Sequence, residues 1–88
     1  MRRLLLALAL SILSGSAFAS PTCTSEPKTK WLSEKAMKEK VAALGYSVKV
    51  FKVTAGNCYE IYGRNKSGQR IEVYFDPMTG NTVEEHKS

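Results

Sequence analysis

Three short runs rich in β-branched and aromatic residues, 46–54, 58–64 and 69–76, follow one another with only turn formers between them. Nothing constrains the fold of this chain more, because runs so short and so closely spaced are expected to pair as an antiparallel meander. Ala55-Gly56-Asn57 and Asn65-Lys66-Ser67-Gly68 suit the two hairpin loops, with glycine available for a positive dihedral. Side chains alternate across a strand, so Tyr59 and Ile61 share one face, and Ile71, Val73 and Phe75 share one face. Those faces are the expected core. In the first run Val48 and Val50 point one way and Phe51 and Val53 the other, which implies a bulge near Val50 or burial on both sides.

The segment before the meander has a different period. Met37, Val41 and Leu44 recur at helical spacing after Ser33, a good cap, and Glu34, which suits the first turn. Gly45 is placed to end the helix in the left-handed conformation. The stripe, with Ala36 and Trp31, is expected to face the sheet, so Met37 and Trp31 are read as core. After the third run, Asp76 can accept backbone N–H groups two residues on, Pro77 presets a turn dihedral, and Gly80 can adopt a backbone closed to other residues. Asp76, Pro77 and Gly80 thus form a structural turn leading to a short last strand, 81–84. Calcium is a poor alternative, because Asp-Pro-Met-Thr-Gly-Asn lacks the spaced oxygen ligands of an ion loop. The expected fold class is α+β: one N-terminal helix packed on a three- to four-stranded antiparallel sheet.

Residues 1–19 read as a cleaved signal peptide: Arg2 and Arg3, an apolar run over 4–13, then Ala17-Phe18-Ala19. That run is shorter than the roughly 20 residues of a spanning helix. A retained anchor is the alternative. The organisation expected is signal peptide 1–19, extended leader 20–30, tied down only by Cys23, and folded domain 31–88, in a periplasmic or secreted location. So small a domain buries only about 60% of its unfolded surface and commonly needs a staple. Cys23 and Cys58 are read as that staple, since export favours disulfides. Closing a loop of about 35 residues is worth about 4 kcal/mol in the chain-entropy model. A zinc site would need further ligands, and the single histidine, His86, lies near the carboxyl end.

Lys and Arg number 13 against 8 Asp and Glu, but Arg2 and Arg3 leave with the signal. The remaining lysines are read as a solvated face with pairs such as Glu34 and Lys38. Export and the lack of a basic-aromatic recognition motif argue against nucleic acid. The sheet face opposite the core is expected to display Glu60, Tyr62, Arg64, Arg70, Glu72 and Tyr74, joined by Lys49 and Phe51. Tyr62, Arg64, Arg70 and Tyr74 are the candidate partner-binding residues, because tyrosine and arginine dominate recognition patches. No catalytic set, metal site or cofactor site is assigned. The cysteines are read as paired, and Glu60 and Glu72 lack a pocket and are expected to pair with Arg64 and Arg70.

A helix ending in Gly45-Tyr46, then Tyr59-Glu60-Ile61, then Ile71-Glu72-Val73-Tyr74-Phe75-Asp76-Pro77-Met78-Thr79-Gly80 together resemble a PepSY domain over residues 31–84. The resemblance implies a helix on an antiparallel sheet, as in the propeptides of secreted metallopeptidases and in stand-alone periplasmic proteins. It further implies inhibition or modulation of a peptidase, with no family catalytic residue to carry over. No peptidase follows the domain in this sequence, which sets it apart from the propeptide arrangement. The expected function is an exported, non-catalytic module that binds a protein of the cell envelope, such as a peptidase. The alternatives are a small-ligand or metal-sensing accessory protein and a structural subunit of an envelope complex.

Overall fold

A computed structural model describes residues 20–88. The signal peptide read in residues 1–19 lies outside the described residues. The order of elements is a 3-10 turn (Lys28–Lys30), α1 (Glu34–Ala43), β1 (Ser47–Val53), β2 (Tyr59–Arg64), β3 (Arg70–Phe75) and β4 (Thr82–Lys87). The four strands form one antiparallel sheet in the order β1-β2-β3-β4. This is the expected α+β meander with a helix on one face.

Helix α1 starts where its sequence says it should. Ser33 stays extended, and its Oγ accepts from the Ala36 N–H at 3.0 Å, satisfying one of the donors that a helix start leaves without a partner. Met37 and Val41 are fully buried, one turn apart, and bind the helix to the sheet. Burying each is worth about 1.5–3 kcal/mol. The Glu34–Lys38 pair, 2.9 Å apart, is more than half exposed at both ends and adds little. Leu44 does not continue the stripe. It is 49% exposed, because the chain turns away at Gly45 (φ +94°), and the Tyr46 ring takes the inward place, edge-on to Phe75 at 6.5 Å.

Tyr59, Ile61, Ile71, Val73 and Phe75 line the core face, with Met37 and Val41 above them and Trp31, Leu32, Tyr46 and Phe51 around the rim. Trp31 meets Tyr59 edge-on at 5.5 Å, a geometry that aligns a positive ring edge with a negative face. The Tyr59 hydroxyl reaches through the core to donate to the Leu32 carbonyl at 2.6 Å. In β1 the register slips between Val48 and Val50. One extra residue reverses side-chain parity beyond it. Phe51 therefore packs on Tyr59, ring centroids 5.1 Å apart, and does not join the outer face.

Two hairpins and a turn carry the reversals. In the first hairpin the positive dihedral belongs to Asn57 (φ +61°), not to glycine. The Asp76 turn has the expected chemistry: Asp76 Oδ1 accepts from Met78 N–H at 2.8 Å, and the Asp76 carbonyl accepts from Gly80 N–H at 2.7 Å. Pro77 is buried, and its carbonyl accepts from Leu32 N–H at 2.8 Å, which docks the turn under the start of the helix. β4 then runs to Lys87, longer than expected, because Glu85 and His86 pair with Val73 and Glu72 and Ser88 N–H donates to the Arg70 carbonyl. His86 is thus a sheet residue and not part of a tail.

The leader is held at more points than Cys23. A disulfide joins Cys23 to Cys58, and the Cys23 N–H donates to the Gly56 carbonyl at 2.9 Å. Asn57 Nδ2 donates to the Thr24 carbonyl, Trp31 Nε1 donates to the Glu26 carbonyl, and Ser20 Oγ lies 3.4 Å from the Tyr74 hydroxyl. A backbone with unmet polar groups would cost free energy against the sheet, and these partners remove that cost.

Candidate functional site

The sheet face away from α1 is built in cross-strand rows. Lys52, Glu60, Tyr74 and Glu84 oppose one another in one row, Tyr62, Glu72 and His86 in the next, and Arg64 and Arg70 in a third. The rows differ in depth. Glu60 is 3% exposed and Tyr74 is 2% exposed, whereas Tyr62 is 39% exposed. Tyr74 was expected to face a partner and is instead buried, with Ser20 at its hydroxyl and the His86 ring edge-on at 6.4 Å. Strand alternation gives the side of the sheet correctly, but the leader and β4 cover this part of it.

Within the covered part lies an acidic pair. Glu72 Oε2 accepts from the Tyr62 hydroxyl at 3.0 Å and from the Tyr74 hydroxyl at 2.7 Å. Glu60 Oε1 lies 3.7 Å from Lys52 Nζ, while its Oε2 is buried and meets no donor. Glu60 and Glu72 act on each other's titration through a side-chain hydrogen bond. Burial first, and then this hydrogen bond, push the Glu60 carboxyl above the usual glutamate range. The hydrogen bond with Glu60, followed by those from the two tyrosine hydroxyls, holds the Glu72 carboxyl below that range. Burial and the neighbouring glutamates raise the Tyr74 phenol to about 12. The Tyr62 phenol is raised as well, chiefly by its hydrogen bond to Glu72.

These opposite shifts set a pH dependence. The raised Glu60 contributes stability below the ordinary glutamate value of about 4.3, and that contribution is lost as pH rises through its folded value. The lowered Glu72 contributes above about 4.3 and loses its part as pH falls. Glu60→Gln keeps the shape and a donor to Glu72 but removes the titration. Wild-type melting temperature is therefore expected to fall from pH 5 to pH 8 by more than that of Glu60→Gln. Equal slopes in thermal melts across that range would show that Glu60 is ionised throughout.

The arginines are not the partners of these carboxylates. Arg64 Nη1 donates to the Gly68 carbonyl at 2.9 Å, and neither Arg64 nor Arg70 makes an ion pair among the described residues. Instead they open onto solvent. A hollow of about 630 Å³ lies beside β1, with Tyr62, Arg64, Arg70 and Lys49 among its walls. Its floor depends on Gly63, where an added Cβ would stand 1.9 Å from the Ser47 carbonyl oxygen, so β1 can approach β2 this closely only past a bare backbone. A second hollow of about 490 Å³ opens on the other side of β1, between the strand and α1, lined by Lys38, Lys49, Tyr46 and Phe51.

The structure thus brings Tyr62, Arg64 and Arg70 together in one open, basic hollow and sets Tyr74 apart as a buried strut. Lys49 was foreseen only as a possible member of the outer face. It lines both hollows because the bulge at Val48 and Val50 lies beside it. The break in alternation at Val48, Val50, Phe51 and Val53 is the sequence signal that marks the place. Among the described residues no group of three or more His, Cys, Asp or Glu side chains could hold a metal ion, and no helix is long and apolar enough to cross a membrane.

No curated protein and no solved structure gives a significant match to the chain. A family model described as "Peptidase propeptide and YPEB domain" matches residues 3–86, nearly the whole length. With the helix, the four-stranded meander and the Asp76 turn in place, the chain belongs to this PepSY family.

Proposed function

We propose that the chain is an exported, non-catalytic binding module that modulates a protein of the cell envelope, with a peptidase as the first partner to test. Family membership supports the peptidase, since the family is described by peptidase propeptides. The pattern of residues 1–19 and the disulfide support export, because such bridges persist in oxidising compartments. The observation that carries binding is the open hollow lined by Tyr62, Arg64 and Arg70, the residue types that supply most interface energy. Catalysis has less to work with. Glu60 is only 3% exposed, and both cysteines are joined to each other.

Capture from an envelope extract on the immobilised domain, followed by peptidase assays with and without it, tests this reading. Tyr62→Ala is expected to weaken capture by at least about 1 kcal/mol while leaving the fold intact, because this ring is exposed. Melting curves of the variant check the second half. Capture of nothing and an unchanged peptidase rate would end the proposal. Capture that survives Tyr62→Ala would move the contact away from this hollow.

A further inference from the structure

β1 is an outer strand, and no strand pairs with its free edge. Six of its seven residues are exposed. They include Val48, Val50 and Val53, at 39%, 43% and 38%, three apolar side chains gathered along one unpaired strand edge. The two hollows flank this edge, one on each face of the sheet. Together their walls hold Lys38, Lys49, Arg64 and Arg70 and not one carboxylate.

We propose that the β1 edge is a docking site for an extended, acidic segment of a protein partner, which adds to the sheet as a fifth strand. The geometry follows from elementary strand chemistry. A strand added beside β1 would lie about 4.8 Å away, using backbone groups that have no strand partner, and would send alternate side chains to opposite faces. Glutamates or aspartates on one face meet Arg64, Arg70 and Lys49, and those on the other meet Lys38 and Lys49. Apolar residues between them cover the exposed valines. The same charges select the occupant. A second copy pairing β1 to β1 antiparallel about Val50 and Phe51 would set Lys49 against Lys52 of the copy, whereas an acidic segment turns that repulsion into attraction. The other outer strand, β4, carries Glu84 and Glu85 ahead of its one lysine, Lys87, and so repels an acidic segment along most of its length. This inference rests on the reading that the domain binds a protein, and adds where and by what chemistry.

The test is fluorescence anisotropy on the disulfide-bonded domain with a labelled peptide about seven residues long that repeats two glutamates and two valines, so that each face of the added strand carries glutamate and valine in turn. Binding is expected, weakening steeply as salt rises. Replacing every glutamate by lysine should abolish it. N-methylation of alternate backbone nitrogens should weaken it about tenfold, and so should Lys49→Glu in the protein. Lys49 is exposed, so unchanged melting will show that the variant folds. A lysine peptide that binds equally, or no effect of Lys49→Glu, overturns the proposal. Insensitivity to N-methylation overturns strand addition. A dimer in sedimentation that Lys49→Glu strengthens, with no peptide binding, gives the edge to a second copy and overturns it too. If the Lys49→Glu domain still captures its envelope partner, this inference fails while the proposed function stands. If the peptide binds but the envelope yields no partner, the proposed function fails instead.

Discussion

Reducing the Cys23–Cys58 bridge is expected to lower the stability of the domain by about 4 kcal/mol. The bridge spans 35 residues and links the leader to the hairpin between β1 and β2, so its loss releases the unfolded chain from a closed loop. It also loosens the folded state. The Cys23 N–H bond to Gly56, the Asn57 bond to Thr24 and the Ser20 contact with Tyr74 all lie on the leader side of Trp31 and depend on the leader staying in place. With a core as small as Met37, Val41 and one sheet face, few other interactions can take over. Denaturant melts with and without reductant, and of Cys23→Ser with Cys58→Ser, measure the effect. Hydrogen exchange should show loss of protection at Cys23 and at the Tyr74 end of β3 before the rest of the sheet. A midpoint that does not move would refute the stabilising role of the bridge.

Replacing Gly80 by Val is expected to cost about 3 kcal/mol, far more than Met78→Ala in the same turn. Gly80 sits at φ +78°, where a residue with a Cβ pays about 1–2 kcal/mol and a β-branched one more. Space is also short. A Cβ there would stand 2.6 Å from Lys40 Cδ and 3.0 Å from Leu32 Cδ1, on a residue that is itself buried. Lys40 can swing aside, but Leu32 is held by its N–H bond to the Pro77 carbonyl and by the Tyr59 hydroxyl. Asp76→Ala should fall between the two, because it removes one acceptor for Met78 N–H and leaves the backbone path intact. Chemical denaturation of the three variants ranks them. A calcium-dependent shift in the melting of the unmodified domain would show that the Asp76 turn is an ion loop after all.

The acidic pair shows how a charge survives on a buried sheet face. Glu60 lies there with Lys52 Nζ 3.7 Å from its Oε1 and with burial raising its carboxyl, while Glu72 accepts from two tyrosine hydroxyls. The hollow beside β1, by contrast, leaves Arg64 and Arg70 exposed at its walls.

Much of this architecture was legible in the amino-acid sequence. The period-two runs determined the strands and their inward faces, Ser33 and Gly45 bracketed the helix, and the broken alternation around Val50 announced the bulge. These features are local, and local chemistry carries them: a capping oxygen, a residue without a Cβ, a side-chain parity. A lone pair of cysteines could close only one intramolecular bridge. What the tertiary structure decided was depth and neighbourhood. Alternation places Tyr74 and Tyr62 on the same face, but only the path of the leader and the length of β4 bury the first and leave the second exposed. Leu44 has the right spacing for the core and misses it because the chain leaves the helix one residue earlier, and Tyr46 fills the space. Phe51 turns inward because one extra residue in β1 shifts every side chain beyond it. Glu60 and Arg64 look alike as outward polar residues of one strand. Whether such a residue is sealed or solvated depends on which distant segment comes to lie over it, and that is a property of the packed chain and not of any stretch of its sequence.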